Sequence, residues 1–125
     1  MTHKIFTPIQ EAGDKRIEDA RALLTLLNEH CGTNITMRFT FARGGRANTR
    51  LQRFTIPKFA VDNGETYLFY YVIHEFTHCF GQYHNHGEQF KACERGLLSE
   101  FNIKIDYAKA YPKALYANGE IAYHK

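Results

Sequence analysis

The sequence predicts an α+β fold, a small antiparallel sheet packed against helices, with one central helix at the core. Three observations predict it. Apolar residues recur at helical spacing over about 15–30 and again over about 88–101. Residues 35–42 alternate in polarity with the period of a half-buried strand. Residues 65–82 are apolar nearly all round, the mark of a helix buried on every side.

Residues 1–14 read as an entry segment, with Pro8 and Gly13. Asp14 stands where a helix cap belongs, Ile17, Ala20, Leu23, Leu24 and Leu27 form the apolar stripe that follows, and Gly32 is placed to end it. In the next segment Ile35, Met37, Phe39 and Phe41 share one strand face, and Thr36, Arg38 and Thr40 share the other. Gly44-Gly45 marks a turn, and 49–56 predicts a second strand in which Leu51 is out of phase, as at a bulge or a strand end. Pro57 cannot donate to a ladder, which predicts a sheet edge there. Asp62-Asn63-Gly64 leads into the central helix, with Gly81 near its end. Phe90, Cys93, Leu97, Leu98 and Phe101 are the stripe of the last helix, interrupted by Gly96. Ile103 and Ile105 suggest a short strand, and Asn118-Gly119 a weak terminal hairpin.

With 125 residues, the chain is expected to be one domain over 1–125, large enough to bury a core without disulfides. Hydrophobic residues are 44% and charged residues 23%, which excludes a disordered tail, a collagen-like chain and a coiled coil. No apolar run approaches the roughly 20 residues of a membrane span, and no secretory signal is expected at the start. Cys31, Cys79 and Cys93 are odd in number and form no Cys-x-x-Cys pair, so reduced thiols in a cytoplasmic protein are expected. The net charge is +3, but Arg38, Arg43, Arg46, Arg50, Arg53 and Lys58 lie between Glu29 and Asp62 with no acid among them, so the remainder carries −3.

Residues 74–78 read His74-Glu75-Phe76-Thr77-His78. One helical turn separates the two histidines, so both imidazoles can reach one metal ion, and Glu75 sits beside them where it can act on a water without being a ligand. Neutral nitrogen ligands, an open coordination position and an adjacent base are what metal-assisted hydrolysis needs. The composition gives this motif by chance in about 3% of such chains, so its context matters. The context is a segment that independently predicts helix, and His74, His78, His84 and His86 fall within thirteen residues. Two histidines are too few for a tight zinc site, and spacing leaves His84, His86, Glu88 and Glu94 open as the third ligand.

His74-Glu75-x-x-His78, a short spacer, then His86-Gly87-x-x-Phe90 at the head of a helix resembles the SprT-like zinc metallopeptidases, which include the Spartan proteases and the YgjP-type proteins. Only His86 has an aromatic residue four positions on; His84 has Glu88 there. The resemblance implies a zincin-like fold, with two strands before the motif helix. It also implies Zn²⁺ on His74, His78 and His86, Glu75 as the catalytic base, and peptide-bond hydrolysis, with DNA-associated proteins among the substrates. Gly87 is expected to let the chain turn so that His86 faces the metal, and Phe90 to pack under the motif helix. Tyr71, Tyr83 and His84 are near enough in sequence to assist at the carbonyl oxygen, but spacing cannot choose among them, and packing or solvent contact is the favoured reading of each.

Arg43, Arg46, Arg50 and Arg53 flank the glycine turn, where they would either grip nucleic-acid phosphates or form the solvated side of a hairpin that blocks edge pairing. No aromatic residue interleaves with them, so base stacking is not indicated. A protein or peptide substrate is expected to add to the strand edge near Pro57. Two functions follow from the residues: a zinc-dependent endopeptidase, or a non-catalytic, metal-stabilised module that binds DNA or protein.

Overall fold

The computed structural model describes residues 13–105. Helix α1 spans Lys15–Cys31. The Asp14 carboxylate accepts the Arg16 backbone N–H at 3.0 Å, and Gly32 closes the helix in the left-handed conformation (φ 68°) that glycine adopts without penalty. Its stripe Ile17, Ala20, Leu23, Leu24 and Leu27 is buried, as expected.

Three strands follow: β1 (Thr36–Thr40), β2 (Arg46–Asn48) and β3 (Arg53–Pro57). The sheet is mixed rather than antiparallel. Its order is β1-β3-β2, with β3 parallel to β1 and antiparallel to β2. The Gly44-Gly45 segment is not a tight hairpin turn. It carries the chain past the place that β3 will occupy, to the far edge, and the reversal comes after β2. The expected strand over 49–56 therefore splits. Thr49–Gln52 form the turn, Leu51 is out of phase because it lies in that turn, and Gln52 sits at φ 55°. The turn is tied down by its own side chains. Asn48 Oδ1 accepts the Leu51 N–H at 2.9 Å, and Gln52 Nε2 donates to the carbonyls of Thr49 (2.7 Å) and Cys79 (2.8 Å).

Pro57 does not mark an edge. β3 is the middle strand, and Pro57 ends it, paired with Thr40, where a missing N–H costs little because the chain turns at once into a helix. That helix, α2 (Lys58–Asp62), is a single turn that the sequence pattern does not signal. The alternation in β1 holds for Ile35, Met37 and Phe39, which are buried, but fails at its end, where Thr40 is buried and Phe41 is exposed.

The central helix α3 spans Glu65–Gly81, with Gln82 as a left-handed C-cap (φ 56°). It packs against α1, α2, α4, β2 and β3. Tyr67, Leu68, Tyr70, Tyr71, Val72, Ile73 and Phe76 are all buried, so the apolar-all-round reading was right. Helix α4 spans Glu88–Glu100, buries Phe90, Leu97 and Leu98, and leaves Gly96 on its open side. Ile103 and Ile105 form no strand; they pack against the core, and the Ile103 N–H donates to the Leu98 carbonyl at 2.9 Å. The hairpin expected at Asn118-Gly119 lies outside the described residues. Among the described residues no helix is long and apolar enough to cross a membrane.

Candidate metal centre

His74 and His78 project from one face of α3, with His74 buried and His78 half-buried. Each uses its Nδ1 on a partner that accepts. His74 Nδ1 faces Glu94 Oε2 at 2.5 Å, and His78 Nδ1 faces the Tyr83 carbonyl at 2.7 Å. A carbonyl and a carboxylate can only accept, so Nδ1 carries the proton on both rings and Nε2 presents a lone pair. Burial, and secondarily the neighbouring His78, holds His74 well below the usual imidazole range. Burial lowers His78 as well, and His86 falls to about 4 through burial and the two facing histidines. All three rings are neutral near pH 7, the form that binds metal.

The third ring arrives from the α3–α4 connection. His86 Nε2 lies 3.2 Å from His74 Nε2 and 3.1 Å from His78 Nε2. A tetrahedral ion with metal–nitrogen bonds of about 2.0–2.1 Å has ligand–ligand edges of about 3.3 Å. Both distances from His86 thus stand close to the spacing that one such ion would impose, all three nitrogens lie within 4.8 Å of one another, and they could hold a metal ion. His84 lines the same cleft but stays out of this set, as does exposed Glu88.

The carboxylate that spacing left open as a ligand, Glu94, has another task. It is fully buried, and it orients His74 from behind. Glu94→Gln should keep the packing and an acceptor but lose the charge that raises ligand basicity. Metal affinity is expected to fall about 10–100-fold, read by competition with a chromogenic chelator. Unchanged affinity would mean that Glu94 only packs. The sequence signal was available, since Glu94 lies one turn beyond Phe90 on the same helix, but spacing cannot separate a ligand from a ligand's partner.

Gly87 does not act as expected. Its φ of −73° and ψ of −172° are ordinary extended backbone, open to any residue. The turn that presents His86 is made by Asn85, whose Oδ1 accepts the Gly87 N–H at 3.0 Å. Phe90 does what was expected. It is buried, and its ring centre lies 4.8 Å from that of His74, 4.4 Å from His78 and 5.1 Å from His86, forming the floor under all three.

Glu75 is 5% exposed, and burial first, then the charge of Glu94, pushes its carboxyl up to about 8. The segment before β2 closes over it. The Gly45 N–H donates to the Tyr71 hydroxyl at 2.8 Å, and a Cβ at Gly45 would come 2.7 Å from the Thr55 carbonyl oxygen, 2.7 Å from the Tyr71 ring and 3.0 Å from Glu75 Oε2. Only glycine lets the chain pass this close. Tyr71 is therefore engaged in holding β2 against α3, and burial keeps its phenol protonated. Tyr83 and His84 line the cleft, the first half-buried and the second exposed.

The cleft has a volume of about 440 Å³, with Gly45, Ala47 and Thr49 on one wall and the three histidines on the other. The expected docking edge near Pro57 is not available, because β3 is flanked on both sides; the edge strand beside the cleft is β2. The three cysteines are free, and Cys79 is buried, its thiol pushed up to about 11 by burial and by Glu75. Of the four arginines expected to act together, Arg46, Arg50 and Arg53 line a second groove, where Arg38 takes the place of Arg43.

No family model matches the chain, and no curated protein matches it. Among solved structures it is similar to the metallopeptidase zymogen abylysin of Pyrococcus abyssi, with a TM-score of 0.53 and 16% identity, over 66% of this chain and 90% of that one. The fold is therefore metallopeptidase-like.

Proposed function

We propose that this chain is a zinc-dependent endopeptidase with a zincin-like, SprT-like core, in which His74, His78 and His86 hold the metal and Glu75 is the catalytic base. One observation carries the reading: His86 Nε2 meets the Nε2 atoms of His74 and His78 at 3.2 and 3.1 Å beside a nearly buried carboxylate, in an open cleft. The metallopeptidase-like fold supports it.

Zn²⁺ in such a site supplies a Lewis acid that polarises the scissile carbonyl and lowers the pKa of water. The residues do the rest. Glu94 and the Tyr83 carbonyl fix the tautomers of His74 and His78, so the ligand nitrogens need no rearrangement. Glu75 takes a proton from the attacking water and returns it to the leaving amine. Its burial leaves the carboxylate poorly solvated and so a stronger base than one in water. An extended peptide would align on the free edge of β2, where Ala47 and Thr49 face the cleft, with main-chain hydrogen bonds positioning its carbonyl. Tyr83 and His84, which line the cleft, are the candidates to assist at the carbonyl oxygen.

The finer reading, cleavage of proteins that sit on DNA, is supported by the acid-free basic segment, whose strands share Ala47 and Thr49 with the cleft. The test of the peptidase reading is metal content together with turnover. Protein purified without chelator should carry about one equivalent of zinc and cleave casein or a DNA-bound protein. Less than about half an equivalent after zinc loading would overturn it.

A further inference from the structure

The second groove, of about 670 Å³, runs over the solvent face of the sheet. The strand registers decide what stands on it. Thr55 in the middle strand is paired with Arg38 on one side and Arg46 on the other, so these three residues form one row across the sheet. Arg53 is paired with Thr36 and Asn48, which form the next row. Two strand spacings put the Arg38 and Arg46 Cα atoms about 10 Å apart, and Arg53 is offset from their row by about 7 Å. Arg50, in the β2–β3 turn, borders the same groove. All four arginines are exposed. Among the described residues no carboxylate pairs with any of them; ion pairs lie elsewhere, among them those of Lys15, Arg16, Lys58 and His74.

We infer that this face of the sheet is a docking surface for the phosphate backbone of duplex nucleic acid. The chemistry on it is Arg, Thr and Asn, which are among the residue types that donate to phosphate oxygens. Four guanidinium groups without partners among the described residues form a field that no acid between Glu29 and Asp62 offsets. A protein partner would need an apolar or aromatic anchor at the centre of the patch. The apolar residues of the groove, Met37 and Phe54, are buried under the sheet instead. Single strands are held largely by stacking on aromatic rings, and the one aromatic residue of this groove, Phe54, is only 2% exposed and offers no ring face to a base. The remaining occupant is a duplex read through its backbone, without sequence preference. The surface acts independently of the metal centre, and β2 forms the wall between them.

The test uses the full-length chain and a fluorescein-labelled 20-base-pair DNA duplex, with anisotropy read over a range of salt concentrations. If all four arginines meet phosphates, log Kobs should fall against log salt with a slope of about −3.6. Arg38→Ala/Arg46→Ala/Arg53→Ala should remove most of that slope, leaving about −0.9, and weaken binding at least tenfold at about 0.1 M salt. Lys15→Ala/Lys58→Ala/Lys104→Ala changes the net charge equally but spares the face, and should bind as the parent does. Circular dichroism of both triple variants checks that they fold, and Arg→Gln replacements serve if the alanines do not. Equal losses in the two variants would reduce the effect to net charge and overturn the inference. So would a poly-glutamate competitor that displaces the duplex at equal charge concentration, which would point to an acidic protein partner. Binding lost in the arginine variant while zinc content is normal would uphold it, whatever the peptidase assay gives.

Discussion

Glu75→Gln is expected to abolish peptide hydrolysis while the protein keeps its metal. Glutamine has the volume of glutamate, so it fits the space under Gly45 and beside Tyr71, where a Cβ on Gly45 would already come within 3.0 Å of the carboxylate. What it lacks is the ability to take a proton from water. General acid–base catalysis by a positioned group contributes about 10²–10⁴-fold, and in the proposed mechanism one group serves both the attack and the departure of the amine. A loss of at least about 10³ in kcat, with KM little changed, is the expected pattern, because the residue acts in the transition state more than in binding. Zinc should remain at the parental level, because the group that could hold a metal is the three histidines and does not include Glu75. The measurement is casein or fluorogenic-peptide turnover beside metal analysis of the same preparation. An active, zinc-loaded Glu75→Gln protein would remove Glu75 from the mechanism. A parent protein that holds zinc and cleaves nothing would favour the metal-stabilised binding module.

Much of this arrangement was legible in the sequence because it is local. The helix α1 stripe, the cap at Asp14, the all-apolar α3 and the His74–His78 pair depend on spacing within one element, and spacing within an element is what periodicity records. Phe90 was legible for the same reason, lying one turn beyond His86. Sheet order was not. Whether β1 is followed by its neighbour or by the far edge depends on where β3 is inserted, and the Gly44-Gly45 segment looks the same in both cases. Leu51 was the one residue that signalled the split, by falling out of phase. The contacts across elements were also hidden. Glu94 behind His74 joins residues 20 apart, and the Tyr71–Gly45 hydrogen bond joins residues 26 apart, so neither leaves a trace in local pattern. The error at Gly87 has a different origin. Glycine was credited with a turn that the neighbouring Asn85 side chain makes.

The assignment of the third ligand leads to the other large effect. His86→Ala is expected to lose most zinc affinity, and His84→Ala to leave it intact. The two residues are two apart in a chain segment outside any helix, yet only His86 brings its Nε2 to 3.1–3.2 Å from both helix histidines, whereas His84 faces solvent at the rim of the cleft. Removing His86 leaves two ligands on α3, and an ion with two protein ligands must complete its shell with water. The loss should also appear in stability, since a metal that binds only the folded chain adds its binding free energy to folding. At free zinc 100-fold above the dissociation constant that addition is about 2.7 kcal/mol, or roughly 10 °C in Tm for a domain of this size. Zinc should therefore raise the Tm of the parent and of His84→Ala by a similar amount, a chelator should reverse it, and His86→Ala should respond to neither. His86 is an exposed residue of the α3–α4 connection and its truncation opens no core cavity, so the metal-free Tm of this variant should stay near that of the metal-free parent. If His84→Ala lost the zinc-dependent shift and His86→Ala kept it, the convergence of the three Nε2 atoms would not be the metal site, and the placement of Phe90 beneath them would be packing alone.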